Sequence, residues 1–247
     1  MKQQKTLLAL ALLASAVVTG NAQASLIDRG NGLLYDDVLN VTWLQDANYA
    51  HTSGYAGADS TGAMDWTTAK AWAADLVYGG YSDWRLASNS PVNGSNFNYN
   101  YAKDGSTDYS YNITSPHAEL AYMYHVNLGL KSYYDTTGTT QSDWGIFGNG
   151  TYNGVDDTSY GQTNVKLVNN LQSYEYWSGS EYAPSPNLAW LFNTIGGFQG
   201  KYYKYDQLYA WAVRPGDVAA VPVPGAFWLF GSAMVGLMGL KRRGSIG

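Results

Sequence analysis

The 247-residue chain contains no cysteine. Thiol catalysis, thiolate metal sites and disulfide staples are therefore excluded. Histidine is scarce, with His51, His117 and His125 only. His117 and His125 are eight positions apart, so the spacing of four that sets two imidazoles on one helix face is missing. All three read as surface residues. No Gly-x-Ser-x-Gly elbow occurs, and no glycine-rich phosphate loop precedes a helix. Basic residues are also few. Residues 25–220 hold all 19 Asp and Glu but only nine Lys and Arg, a net charge of −10. A domain of that sign repels DNA, RNA and sulfated polysaccharides. Its carboxylates could attract calcium, or could serve only to keep an exported protein soluble. Asp156-Asp157, near Asn149 and Asn153, could hold calcium, but it lacks the spacing of an EF-hand loop and reads first as a polar turn. Glu119, Glu175 and Glu181 could supply a glycosidase pair, yet nothing in the sequence sets two of them face to face.

What is present is clearest at the two ends. Lys2 and Lys5 precede an apolar run over 7–18, and Ala22-Gln23-Ala24 is a small-x-small cleavage site. Residues 1–24 read as a secretory signal peptide, the run being too short to span a membrane comfortably. At the other end residues 219–240 carry no charge, and Lys241-Arg242-Arg243 follows at once. About 20 apolar residues suffice for a membrane span, and a basic cluster stays on the cytoplasmic side. A proline blocks helix continuation, so the span is expected at 225–240, after Pro224. At 1.5 Å per residue it is roughly 24 Å long, which suits a transient anchor.

Between the ends, residues 25–218 form one domain with room for a full core. Residues 32–35 and 41–44 read as strands about a polar turn, and 46–64 as loop. Asp65 caps a helix over 65–77, with Ala69, Trp72, Ala73 and Leu76 on one face and Gly79-Gly80 as its stop. Asp83-Trp84-Arg85 follows. It reads as architecture: Trp84 in the core, Asp83 and Arg85 pinning neighbouring loops. Residues 88–114, rich in Asn, Ser, Gly and Tyr, read as a long surface loop. Ser115 as cap and Pro116 at the first position start a second helix to about Asn127. After a second polar segment, 131–165, strands are expected at 174–179, 187–195, 198–205 and 207–214. Gly196-Gly197 reads as a two-residue hairpin turn. Two helices followed by a Trp-rich antiparallel sheet make an α+β layout.

Aromatic content is high. The chain has 22 Tyr, nine Trp and six Phe, and only Phe227, Trp228 and Phe230 belong to the tail. A β-rich fold enriches aromatic residues in any case. Rings exposed beyond that need serve recognition, stacking on sugars among other uses. The candidate ligand-binding residues are Tyr99, Tyr101, Tyr109, Tyr111, Tyr182, Trp190, Tyr202, Tyr203 and Tyr205, on the polar insertions and the closing sheet.

Two resemblances follow from quoted residues. Val221-Pro222-Val223-Pro224-Gly225-Ala226, the apolar run and Lys241-Arg242-Arg243 resemble a PEP-CTERM sorting tail of the VPLPA-like variant, with Val-Pro-Gly where the variant prefers Leu-Pro-Ala. That resemblance implies transient insertion in the inner membrane, an exosortase-type sorting protease as partner, and delivery to the cell surface or extracellular matrix. Leu33-Leu34-Tyr35 with Val41-Thr42-Trp43-Leu44-Gln45, Met64 to Lys70, Gly79 to Leu86, Ala118-Glu119-Leu120, Tyr176 to Ser180, Ala189-Trp190 and Ala212 to Pro215 resemble the C-terminal domain family of the Legionella collagen-like adhesin. The family phrase usually runs from the position of Leu86 into Pro-Thr, where this chain has Ala87-Ser88 and an insertion. The resemblance implies a C-type-lectin-like fold, two helices packed on a curled antiparallel sheet. It also implies a non-catalytic surface module. The calcium-dependent sugar motifs of true C-type lectins are missing: Ser185-Pro186-Asn187 lacks the leading carboxylate. The expectation is a secreted binding module for polysaccharide or a matrix partner, with no nucleic-acid role. The alternative is a structural matrix protein that self-associates. Enzymes on such a scaffold, akin to formylglycine-generating enzymes, need a cysteine that is absent.

Overall fold

The computed structural model describes residues 26–147 and 163–218. The segments expected to be a signal peptide (1–24), a sorting tail (219–247) and a polar turn at Asp156-Asp157 lie outside the described residues. Among the described residues, no helix is long and apolar enough to cross a membrane.

The described chain opens with a tight turn. β1 (Leu26–Gly30) pairs antiparallel with β2 (Leu33–Asp36) across Asn31-Gly32, both at positive φ. That is the two-residue turn whose twist matches paired strands. β3 (Val41–Leu44) continues the meander. Residues 46–64 carry one turn of helix, α1 (Tyr49–Thr52), and then lead to α2 (Trp66–Asp75). Asp65 caps α2: Thr68 donates its amide to Oδ1 at 2.9 Å and its hydroxyl to Oδ2 at 3.0 Å. Trp66, Ala69, Trp72 and Ala73 form its buried stripe. The helix ends at Asp75, earlier than expected. Gly79 and Gly80, both at positive φ, instead close a second two-residue turn, with Tyr78 and Tyr81 exchanging both backbone hydrogen bonds. β4 (Arg85–Leu86) follows.

The second helix differs from the sequence expectation. Ser115 is not its cap residue: the Ser115 hydroxyl accepts the His117 amide at 3.3 Å and donates to the Val92 carbonyl, but Asn89 pairs with Ala118 as a bridge before the helix begins. The helix α3 starts only at Glu119 and lasts one turn (Glu119–Tyr122), before a π-helical turn over Met123–Asn127. Residues 88–114 are not a plain surface loop either. They contain β5 (Tyr101–Ala102) and β6 (Tyr109–Ser110), paired in parallel, and the buried Thr107, Asp108, Ser110 and Ile113.

After β7 (Thr163–Val165) and β8 (Val168–Leu171) come β9 (Glu175–Glu181), β10 (Leu188–Asn193) and β11 (Phe198–Tyr203), in the order β11-β10-β9. The β10–β11 connection has four residues, Thr194 to Gly197, rather than two. Gly197 is required by close approach: a Cβ there would lie 2.8 Å from Ser132 Oγ and 2.9 Å from Tyr124 Cε1. β12 (Ala212–Pro215) leaves this sheet and inserts between β3 and β4, giving the order β1-β2-β3-β12-β4. The architecture is α+β, mostly antiparallel, with few helical residues. One core joins both sheets and α2 through Trp43, Met64, Trp72, Trp84, Trp177 and Trp211.

Candidate functional site

Asp83-Trp84-Arg85 is fully engaged in the fold. Trp84 is buried and donates Nε1 to the Tyr81 carbonyl at 3.1 Å. Asp83 accepts a two-pronged pair from Arg214, Nε at 2.8 Å and Nη2 at 3.0 Å, which holds its carboxyl below the usual range. The same guanidinium lies over the Tyr81 ring at 4.0 Å. Arg85 makes the matching fork on Glu119, at 2.7 and 2.8 Å, and Glu119 also accepts the Ser88 amide. The motif ties β12 and α3 to the strand between them.

The carboxylates are similarly spent. Glu119 is held by Arg85, Glu175 accepts Asn193 Nδ2 at 3.1 Å and is raised by burial, and Glu181 pairs with Lys204 at 3.0 Å. Glu175 and Glu181 sit at opposite ends of one strand, about 20 Å apart at the rise of an extended chain. A glycosidase pair needs about 5–9.5 Å. Asp59 and Asp135 build the same turn twice. Each takes the hydroxyl and amide of the Thr two positions on at its Oδ1, plus the amide four positions on. Among the described residues, no group of three or more His, Asp and Glu converges as a metal ion would need. His51 and His117 are exposed as expected. His125 is not free at the surface: it packs against Tyr124 and Phe192, with Nδ1 3.1 Å from the Leu130 carbonyl, and burial pushes it down to about 4.

The aromatic candidates separate into three groups. Trp190 is fully buried and Tyr182 nearly so, and neither can face a ligand. The reason is the 88–114 insertion. Its Phe97 and Tyr99 stack on Trp190 at centroid distances of 5.7 and 6.1 Å, and Tyr182 meets Trp190 edge-on at 5.0 Å. The insertion is clipped down by buried Asp108, which accepts the Val92 and Asn98 amides, while its carbonyl accepts Gln199 Nε2. These rings are a second small core.

Tyr101, Tyr109 and Tyr111 gather around Phe198 at the start of β11, at 6.2, 5.1 and 4.6 Å. Lys201 lies over Tyr109 at 3.9 Å. Tyr101 is half-exposed beside Lys103, Asp104 and Thr137 in a shallow depression. Tyr111 is half-buried, and burial together with its tyrosine neighbours pushes it up to about 12. With Tyr133, Trp144, Asn193, Ile195, Gly196 and Phe198 it lines a cleft of about 370 Å³.

Tyr202, Tyr203 and Tyr205 are the exposed group, at 46%, 49% and 71%. Tyr203 and Tyr205 stack in parallel, centroids 5.2 Å apart and planes 12° off. They line an open cleft of about 570 Å³ with Asp65, Thr67, Pro186, Asn187 and Lys204. The cleft is anchored where α2 begins, since the Trp66 amide donates to the Lys204 carbonyl at 3.0 Å and the Lys204 amide to the Asn187 carbonyl at 2.9 Å. Lys204 Nζ is turned onto the Trp66 ring at 4.4 Å and onto Glu181. Sequence reasoning named the two tyrosines but none of the polar residues around them, because those come from three separate segments. A flat aromatic pair flanked by a carboxylate, a hydroxyl and an amide can stack one face of a sugar ring and hydrogen-bond its hydroxyls.

No family model, curated protein or solved structure matches the chain.

Proposed function

We propose that this chain is an exported, non-catalytic binding module for a neutral or weakly charged polysaccharide, held at the cell surface or in the extracellular matrix. The observation that carries the reading is the exposed Tyr203–Tyr205 stack in a polar-rimmed cleft. The excess of acidic residues argues against a polyanionic glycan. Export is supported by the signal-peptide pattern of residues 1–24. Sorting is supported by Val221-Pro222-Val223-Pro224 and Lys241-Arg242-Arg243, which would engage an exosortase-type protease while 225–240 anchors the chain transiently in the inner membrane. A C-type-lectin-like arrangement is part of the same proposal, supported by the ordered phrases from Leu33 to Pro215.

The test is affinity electrophoresis through gels containing the producing cell's exopolysaccharide. Tyr205→Ala should lose retardation, and Tyr202→Ala, similarly exposed but outside the cleft, should keep it. Equal retardation of both variants would sink the assignment of the site. The alternative is a structural protein that self-associates through its exposed tyrosines, including Tyr101 and Tyr202. It predicts concentration-dependent assembly without glycan, read by sedimentation.

A further inference from the structure

The cleft at the start of β11 has a different chemistry from the one at its end. Its walls are Tyr111, Tyr133, Trp144 and Phe198. The rings stand at steep angles: Tyr133 to Trp144 at 89° with centroids 5.1 Å apart, and Tyr111 to Phe198 at 43° and 4.6 Å. The amide groups of Asn193 and Gly196 at the cleft are already paired. Asn193 donates to Glu175 and accepts the Gly196 amide, and the Gly196 carbonyl accepts the Tyr133 amide. Among the described residues, no Lys, Arg or His lines the cleft. Rings of the same cluster already hold ammonium groups on their faces, Lys103 Nζ at 3.5 Å over Tyr134 and Lys201 Nζ at 3.9 Å over Tyr109. A ring face is electronegative, and the domain carries excess negative charge, so a cation is the favoured guest.

We propose that this cleft is an aromatic cage for a quaternary ammonium group, as carried by a choline-like ligand. A methylated nitrogen has no N–H to satisfy, which fits walls made mainly of ring surface, and the volume of about 370 Å³ admits a small ligand. The two clefts share no lining residue, so this site stands apart from the polysaccharide reading.

The experiment titrates choline into the purified exported chain by calorimetry. The control is its neutral isostere, in which a tert-butyl group replaces trimethylammonium. Choline should bind at least about tenfold more tightly than the isostere, because both fill the same shape and only one carries charge. Gly196→Leu should abolish binding by filling the cleft. A Cβ at Gly196 meets only Tyr111 Cε1 at 3.7 Å and Tyr133 Cβ at 3.8 Å, so a side chain can enter without displacing backbone. Tyr205→Ala should leave choline affinity unchanged. Equal affinity for the two probes would make this a plain apolar pocket and overturn the proposal. So would an absence of saturable choline binding at millimolar concentration. The comparison of probes needs only the wild-type chain, so a failure of Gly196→Leu to fold leaves the test intact. Binding retained in a folded Gly196→Leu variant would place the ligand elsewhere and overturn the assignment.

Discussion

Phenylalanine in place of Trp177 and of Trp190 separates two effects that are usually mixed. Both indoles are fully buried, on the adjacent strands β9 and β10. Each substitution removes the same atoms, so the transfer and cavity costs are similar. The indole N–H differs. Trp177 Nε1 donates to the Met64 carbonyl at 2.9 Å, and that carbonyl keeps a second donor, the Leu208 amide at 3.1 Å. Trp190 Nε1 has no partner among the described residues. Removing the bond of Trp177 costs about 0.5–1.5 kcal/mol, whereas removing a buried unpaired N–H relieves about 1–3 kcal/mol. Trp177→Phe should therefore be less stable than Trp190→Phe by about 1.5–4.5 kcal/mol. Urea melts followed by far-UV circular dichroism measure this directly, provided the two variants share one m-value. At about 2–4 °C per kcal/mol for a domain of this size, the thermal midpoints should part by at least about 3 °C. Equal stabilities, or a larger loss for Trp190→Phe, would refute the reasoning that the N–H decides the difference.

Other outcomes follow from the same contacts. Arg85→Ala leaves the nearly buried Glu119 carboxylate without its cation and should cost about 3–5 kcal/mol, whereas Arg29→Ala, at a more exposed pair with Asp217, should cost no more than about 1 kcal/mol. Trp84→Ala should cost about 3–5 kcal/mol in the same melts; a variant as stable as the parent would contradict its place in the core. His125 titrates near 4 in the folded protein against about 6.5 unfolded, so between those values the unfolded state binds the extra proton. Stability should be fully present above about pH 6.5 and fall by up to about 3 kcal/mol as the pH drops toward 4. His125→Phe, which keeps the packing against Tyr124 and Phe192, should flatten that limb, and an unchanged slope would assign it to other groups.

Local signals were readable and distant ones were not. The Asp65 cap and the Trp66–Ala73 stripe depend on residues a few positions apart, and α2 begins where the sequence places it. Asn31-Gly32 is a hairpin signal of the same local kind, but no strand is expected from sequence at 26–30, and the pairing of β1 with β2 goes beyond that reading. Ser115 has the chemistry of a helix cap and accepts the His117 amide, yet Ala118 pairs with Asn89, 29 positions away, and the helix begins only at Glu119. The strand expected at 207–214 forms only as β12, because Val213 pairs with Trp43 and Arg85 across the chain. The site divides the same way. Tyr203 and Tyr205 stand two apart near a strand end and were legible as exposed rings. Trp190 reads identically in sequence, and only the fold of Phe97 and Tyr99 over it shows that it is buried. Tyr133, Trp144 and Phe198, which wall the smaller cleft, come from separate segments with no shared pattern.

The most direct test of the central claim is binding of the purified exported chain to a polysaccharide array that includes the producing cell's own exopolysaccharide, with calcium and with chelator. The account predicts saturable binding to a defined neutral or weakly charged glycan, lost in Tyr203→Ala and Tyr205→Ala. Uniform silence from a folded chain, or binding that both variants retain, would contradict it.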